Sequence, residues 1–524
     1  MITNDNVTKF YQRQYRQLAR QSIILPRSRN NHQFYFMNIN ELHPQEVFSI
    51  FHEITQVPRP SKREGKIIEW LKAFAVKHNL EHTVDEAGNI IMRKPATPGY
   101  EDKPGVILQA HMDMVCEKNN DTVHDFDNDP IHTYIDGDFI KAQGTTLGAD
   151  NGIGMALMLA AITSDTLKHP ALECLFTVDE ETGLTGAFRL QDGCLNGKQL
   201  INLDSEDDGQ VFIGCAGGID TLAKMHYDPL RLSGEEAKRL AIHIKVGGLM
   251  GGHSGDDINK GRGNANKILV RFLYQVMQAT DMHIAAISGG NLRNAIAREA
   301  EAVITIPMAY KEDIRIMLNH YIATIESEIG DVEKDFAMSL ESTDMPGTII
   351  PEAAAKRLIQ ALYACPHGMM AMSKTMPGLV ETSTNLASIK MKEDDKGAYI
   401  EVNTSQRSSI ESKKHDLKQM VECALALACD EVTHGDGYPG WAPNPQSPLL
   451  EVTKKAYHDL FAAEPKVLAI HAGLECGLFL EKYPYLDMVS IGPQMFGVHS
   501  PQERLNITST GKCWEWLKRV LETL

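Results

Sequence analysis

The stretch QGTTLGADNGIG, Gln143 to Gly154, sets one carboxylate, Asp150, in a glycine-rich turn directly before an apolar helical run. By itself this is a helix N-terminus with an aspartate cap. Its neighbours along the chain change that reading. VILQAHMDMV (Val106–Val115), ALECLFTVDEETG (Ala171–Gly183) and KQLINLDSED (Lys198–Asp207) are apolar runs that each end in histidine or carboxylate residues. Such runs read as buried strands with functional groups at their C-terminal ends, where open α/β sheets collect their sites. Alternating with helices, they predict an α/β fold: a central mixed, mostly parallel sheet flanked by helices, with one active edge.

An isolated HxD, an isolated DEETG turn, an aspartate after a strand in NLDSE and a loop histidine such as His499 all have ordinary structural explanations. The joint pattern does not, because an acid or histidine at the end of each successive buried strand is costly unless something binds there. Asp150 therefore reads as the shared ligand of a two-metal site, with His111, Glu181, Asp204 and His499 as its companions. Asp113, two residues after His111 and on the same side of its strand, is placed to hold the imidazole. Glu180 and Glu181 are adjacent, so their side chains diverge; one can bind metal while the other faces the water.

The 524 residues are too many for one core, and 43% hydrophobic with 23% charged content is ordinary for a globular protein. A net charge of -17 argues against nucleic acid or an anionic membrane as partner. Nine cysteines without a CxxC pair suit a reducing compartment. No apolar run approaches the roughly 20 residues of a membrane span. Residues 1–36 are polar and basic (Lys9, Arg13, Arg16, Arg20, Arg27, Arg29) and lack the apolar region of a secretory signal. They read as a disordered leader, with the folded unit starting at Met37, and the expected location is cytoplasmic.

Beyond Gly214 the style changes to alternating strands and amphipathic helices, such as Asn264–Gln278, in an order that returns once. This predicts an inserted α+β lid of two related halves over 215–415, between catalytic parts at 37–214 and 416–524. VPRPS (Val57–Ser61) reads only as a break between two helices.

HMDMV, TLGADNGIG, DEETG, NLDSE and the late GPQMFGVHSPQE together resemble the dizinc aminoacylase/carboxypeptidase family of peptidases. The longer phrases HMDMVCEKN, GGHSG, GGNLRNAIAREA, NTSQRSS and HAGLECG resemble its dipeptidases more narrowly. The likeness runs from about Asn40 to the C-terminus; residues 1–36 fall outside it. It implies hydrolysis of unblocked dipeptides, Xaa-His dipeptides included, with an N-acyl amino-acid deacylase or a tripeptidase as the alternative. His111, Asp150 and Asp204 would hold one zinc; Asp150, Glu181 and His499 the other, with manganese or cobalt as substitutes. Asp113 would orient His111, and Glu180 would be the general base. The resemblance also implies a cis Asp150–Asn151 peptide bond and a homodimer. His253 would meet the substrate carbonyl, Asn291 and Arg407 the peptide end, and Gly473 and Glu475 would line the pocket.

Overall fold

The computed structural model describes residues 38–232 and 238–524. The leader expected over 1–36 lies outside the described residues. Two hydrophobic cores organise the remainder. The first surrounds an eight-stranded sheet with the order Glu81–Val84, Ile90–Lys94, Leu172–Thr177, Val106–His111, Gln199–Asn202, Asp487–Ser490, Gln210–Cys215, Lys466–Ile470. Its central pairs are parallel: Val106–His111 lies between Leu172–Thr177 and Gln199–Asn202, and Asp487–Ser490 continues in parallel beyond. The edge pairs at Glu81–Lys94 are antiparallel. Val106–His111 and Leu172–Thr177 are buried along their whole length. That double-sided burial is why they read as unbroken apolar runs rather than alternating ones.

The helix Ala149–Thr163 packs on Val106–His111 and on the helix Gln45–Thr55. Its sequence is apolar on every side, and nearly every residue is buried, as a helix without a polar face must be. A smaller four-stranded sheet joins Thr133–Asp136, Phe139–Ala142, Arg504–Asn506 and Met495–Phe496. It matters for the site because Phe139–Ala142 leads into the Asp150 turn, while the loop between Met495–Phe496 and Arg504–Asn506 carries His499.

The second core lies under a nine-stranded antiparallel sheet built from Gly217–Tyr227 through Glu431–His434. Its order shows the related halves. Arg239–Gly247, helix Ala265–Ala279, His283–Gly289, Ala300–Pro307, helix Lys311–Ile329 and Ala337–Ser342 follow one path. Gly217–Tyr227, helix Glu352–Ala364, Val380–Asp394, Gly397–Ser408, helix Glu411–Leu425 and Glu431–His434 follow the same path in the other half. The halves meet where Gly289 pairs with Ile389. The expected return to the first layer at 416 needs correction, because that position lies inside the helix Glu411–Leu425, which packs on Gly217–Tyr227 and Gly397–Ser408. Glu431–His434 then adds the last strand beside Gly217–Tyr227. Four residues are too few to show a periodicity, so the sequence does not mark this strand. Among the described residues no helix is long and apolar enough to cross a membrane.

Candidate metal centre

Asp150 sits in the interior with its two carboxylate oxygens facing two different imidazoles. Oδ1 lies 3.0 Å from His111 Nε2, and Oδ2 lies 3.0 Å from His499 Nε2. Asp204 Oδ1 is 3.3 Å from the same His111 nitrogen, and Glu181 Oε2 is 3.0 Å from the same His499 nitrogen. The structure thus brings together all five residues singled out as ligands, in two groups that share Asp150. Each arrives on a separate element: His111 ends a parallel strand, Asp204 follows the neighbouring one, Glu181 begins a short helix, and His499 comes from the small sheet. The Asp150–Asn151 peptide is cis.

Local chemistry sets each side chain. Gly148 turns the chain at φ +69°, and a Cβ there would lie 2.6 Å from Arg59 Nη2. Gly152 leaves room for the same guanidinium, at 2.7 Å. Gly154 leaves room for Asn151, whose Nδ2 donates to Asp204 Oδ1 at 2.6 Å. The glycines of GADNGIG are therefore spaces for the side chains of Arg59 and Asn151. Asp179 takes the left-handed conformation at φ 49°, which swings Glu180 and Glu181 onto a fresh helical turn. Their amides donate to Asp113 at 3.0 and 3.3 Å. Asp113 Oδ1 also lies 3.3 Å from His111 Nδ1, and Asp113 Oδ2 accepts from Ser61 Oγ at 2.7 Å.

Carboxyls outnumber imidazoles here, and their titration shows the imbalance. Burial drives Glu180 well above its ordinary value, opposed by His111 and reinforced by Asp204, Glu475 and Glu181. Burial lifts Asp204 to about 6 and Glu206 to about 8, with neighbouring carboxylates adding to both. Hydrogen bonds to Asp150 and Glu181 raise His499 to about 11. Burial opposes a charge on His111, yet Asp204 and its hydrogen-bonded carboxylates outweigh it. Asp150 goes the other way: burial would raise it, but both histidines hold it well below the usual range. Glu181 Oε1 is buried with no hydrogen-bond partner. This mixed imidazole and carboxylate set, with a buried oxygen unengaged, fits a pair of divalent cations.

The residues expected to hold substrate divide. His253 is about one-third exposed, with Nδ1 3.2 Å from Asp256 Oδ2. Its loop presses on the HAGLECG segment, since a Cβ on Gly255 would come within 2.1 Å of the His471 carbonyl oxygen. Arg407 donates to Tyr438 Oη at 2.9 Å, while its Nε is buried with no partner. Gly473 packs on the Tyr438 ring. His253, Arg407 and Gly473 thus share one patch around Tyr438 and His471. Asn291 is exposed and does not join it through any hydrogen bond among the described residues: Lys390 donates to its oxygen at 2.8 Å, and it lines an 820 Å³ cavity of the second layer. Glu475, expected to line the pocket, lies in the interior, with Oε1 buried and without a partner. It is fully buried, accepting from Gln109 at 2.6 Å and Thr177 at 2.8 Å, and lies beneath His111 and Asp204. Sequence reasoning missed Arg59 and Glu503. Arg59 stands in a proline pair that reads as a break, and Glu503 stands on the quoted GPQMFGVHSPQE phrase with no periodicity to single it out.

With this geometry in place, comparison with known proteins becomes specific. The model of Peptidase family M20/M25/M40 matches residues 107–523, from the His111 strand to the last helix. The chain belongs to that family. This peptidase, a hydrolase of peptide bonds, is 41% identical over 487 residues to the cytosol non-specific dipeptidase of Escherichia coli (strain K12), covering 93% of this chain and 99% of the relative. It is similar to the crystal structure of aminoacylhistidine dipeptidase from Vibrio alginolyticus, with a TM-score of 0.87 and 40% identity over 94% of this peptidase and 99% of that chain. Aminopeptidase PepT from Bacillus cereus shares the fold alone, at a TM-score of 0.55 and 16% identity over 92% and 98% of the two chains.

Proposed function

We propose that this peptidase hydrolyses unblocked dipeptides, Xaa-His dipeptides among them, at a site made for two zinc ions. The observation that carries the reading is the position of Asp150, each of whose oxygens faces a different histidine at 3.0 Å. When bound, two such cations polarise the scissile carbonyl and acidify the attacking water. His111, Asp150 and Asp204 would hold one; Asp150, Glu181 and His499 would hold the other. Asp113 fixes the His111 imidazole through Nδ1 and, through the amides of Glu180 and Glu181, the turn that presents the base. Glu180 takes a proton from the attacking water and delivers it to the leaving amine. His253 donates to the substrate carbonyl, and Arg407, whose Nε is unengaged, receives the peptide carboxylate beside Gly473. Asn291, already engaged by Lys390, has no part in this assignment.

Restriction to dipeptides is supported by the near full-length likeness to two dipeptidases. The test is a panel of dipeptides, tripeptides and N-acyl amino acids assayed with added zinc. Dipeptides, including Xaa-His, are expected to be cleaved fastest; turnover confined to N-acyl amino acids or tripeptides would overturn the proposal.

A further inference from the structure

The His499 loop and the Asp150 turn are far apart in sequence yet must hold one cation between them. Two features tie them together. The backbone strand Arg504–Asn506 pairs with Phe139–Ala142, which leads into the turn. Beyond the ladder, the buried side chain of Glu503 reaches across to the turn itself. Its Oε2 accepts from the amides of Leu147 at 2.7 Å and Gly148 at 2.9 Å, and its Oε1 from those of Ala149 at 2.7 Å and Asp150 at 3.3 Å. One carboxylate thus takes four consecutive N–H groups that open the Asp150 helix, groups with no intrahelical partner. From the opposite side Arg59 donates to the carbonyls of Met112 at 3.1 Å, Asp113 at 2.6 Å and Gly148. Gly148 is therefore gripped through its N–H by Glu503 and through its carbonyl by Arg59.

We propose that Glu503 is a positioning residue: it fastens the His499 loop to the backbone of the Asp150 turn and so sets the geometry at which His499, Glu181 and Asp150 share the second cation. The inference rests on the two-cation reading above. Glu503 touches neither substrate nor cation; it acts through the loop four residues upstream and through the turn it caps. Outer partners of this kind commonly change metal affinity by about 10–100-fold when altered. Because His111 and Asp204 reach the site without Glu503, the larger effect should fall on the cation held by His499 and Glu181.

The test is titration of the cation-free full chain with cobalt(II), read by stoichiometry and by visible absorption, for wild type and Glu503→Gln. The substitution replaces one acceptor oxygen with an NH2 group that faces two N–H donors. Wild type is expected to bind two cobalt ions. Glu503→Gln should keep the first and bind the second at least about 10-fold more weakly, with an altered absorption band, a lower kcat and a nearly unchanged KM. Glu503→Asp keeps the charge but loses reach; it carries the same expectation should the glutamine variant fail to fold. Two cobalt ions bound with wild-type affinity and spectrum would overturn the proposal, whatever the melting temperature, since a purely structural clamp predicts that result. Failure of wild type to bind cobalt would instead overturn the two-cation reading.

Discussion

Asp150 and Glu180 do opposite things with the same functional group, and the surroundings decide which. Asp150 faces two imidazoles and is held ionised, whereas Glu180 is buried among other carboxyls and is pushed upward. This split suits the proposed roles, since a shared ligand must be charged and a group that shuttles a proton must exchange one readily. Glu180→Gln should therefore lower kcat by about 10²–10⁴-fold while zinc content, measured by atomic absorption, stays as in wild type. Unchanged turnover would remove Glu180 from the mechanism. The same cluster sets a pH dependence for the cation-free protein. Carboxyls raised by folding, Glu206 and Glu475 at about 8, stabilise the fold fully below their ordinary 4.5 and lose that contribution as pH rises through about 8. His499, raised to about 11, acts in the same direction, its contribution complete below 6.5 and lost as pH passes about 11. Asp150 and Asp113, held low, change stability only below 3.8. Burial holds His471 at about 3 and His367 at about 4, and these act the other way only up to their ordinary 6.5. Above about pH 7 the cation-free protein is thus expected to lose melting temperature with rising pH, and added zinc should raise it most near pH 8. A zinc effect that shrinks towards pH 8 would contradict this balance.

At the scale of elements, the turn and helix around Asp150 work because three glycines leave space for functional neighbours. Gly154 is the sharpest case: a Cβ there would lie 2.0 Å from Asn151 Oδ1 and 2.5 Å from the Leu203 carbonyl oxygen. Gly154→Ala should displace Asn151, free Asp204 and cost about 1–3 kcal/mol. Urea unfolding and zinc titration should show both losses, and a variant of wild-type stability and affinity would refute the packing argument. This also marks what the sequence could reveal. The strands ending in HMD, DEE and NLDSE were legible because buried apolar runs with polar ends are rare and share one physical cause. Arg59 was not, because a buried arginine between prolines carries no periodic signal and finds its partners only in three dimensions. Glu475 is a related case: its HAGLECG phrase resembles a pocket wall, and only the fold shows that Gln109 and Thr177 both donate to one of its oxygens.

Across the whole molecule, the chain leaves the first sheet after Cys215, builds a second layer with its own core, and re-enters at Lys466. The doubled strand order of that layer was only faintly visible in the sequence, since its two copies share a path rather than residues. His499 reaches the site only after this excursion, so the centre is completed by long-range folding rather than by any local motif. The most direct measurement is anomalous diffraction from crystals of the full chain grown with zinc. Two peaks are predicted on either side of Asp150, one beside His111 and Asp204 and the other beside His499 and Glu181. Crystals with Asp150 free of any cation, or with zinc bound only elsewhere, would contradict the account.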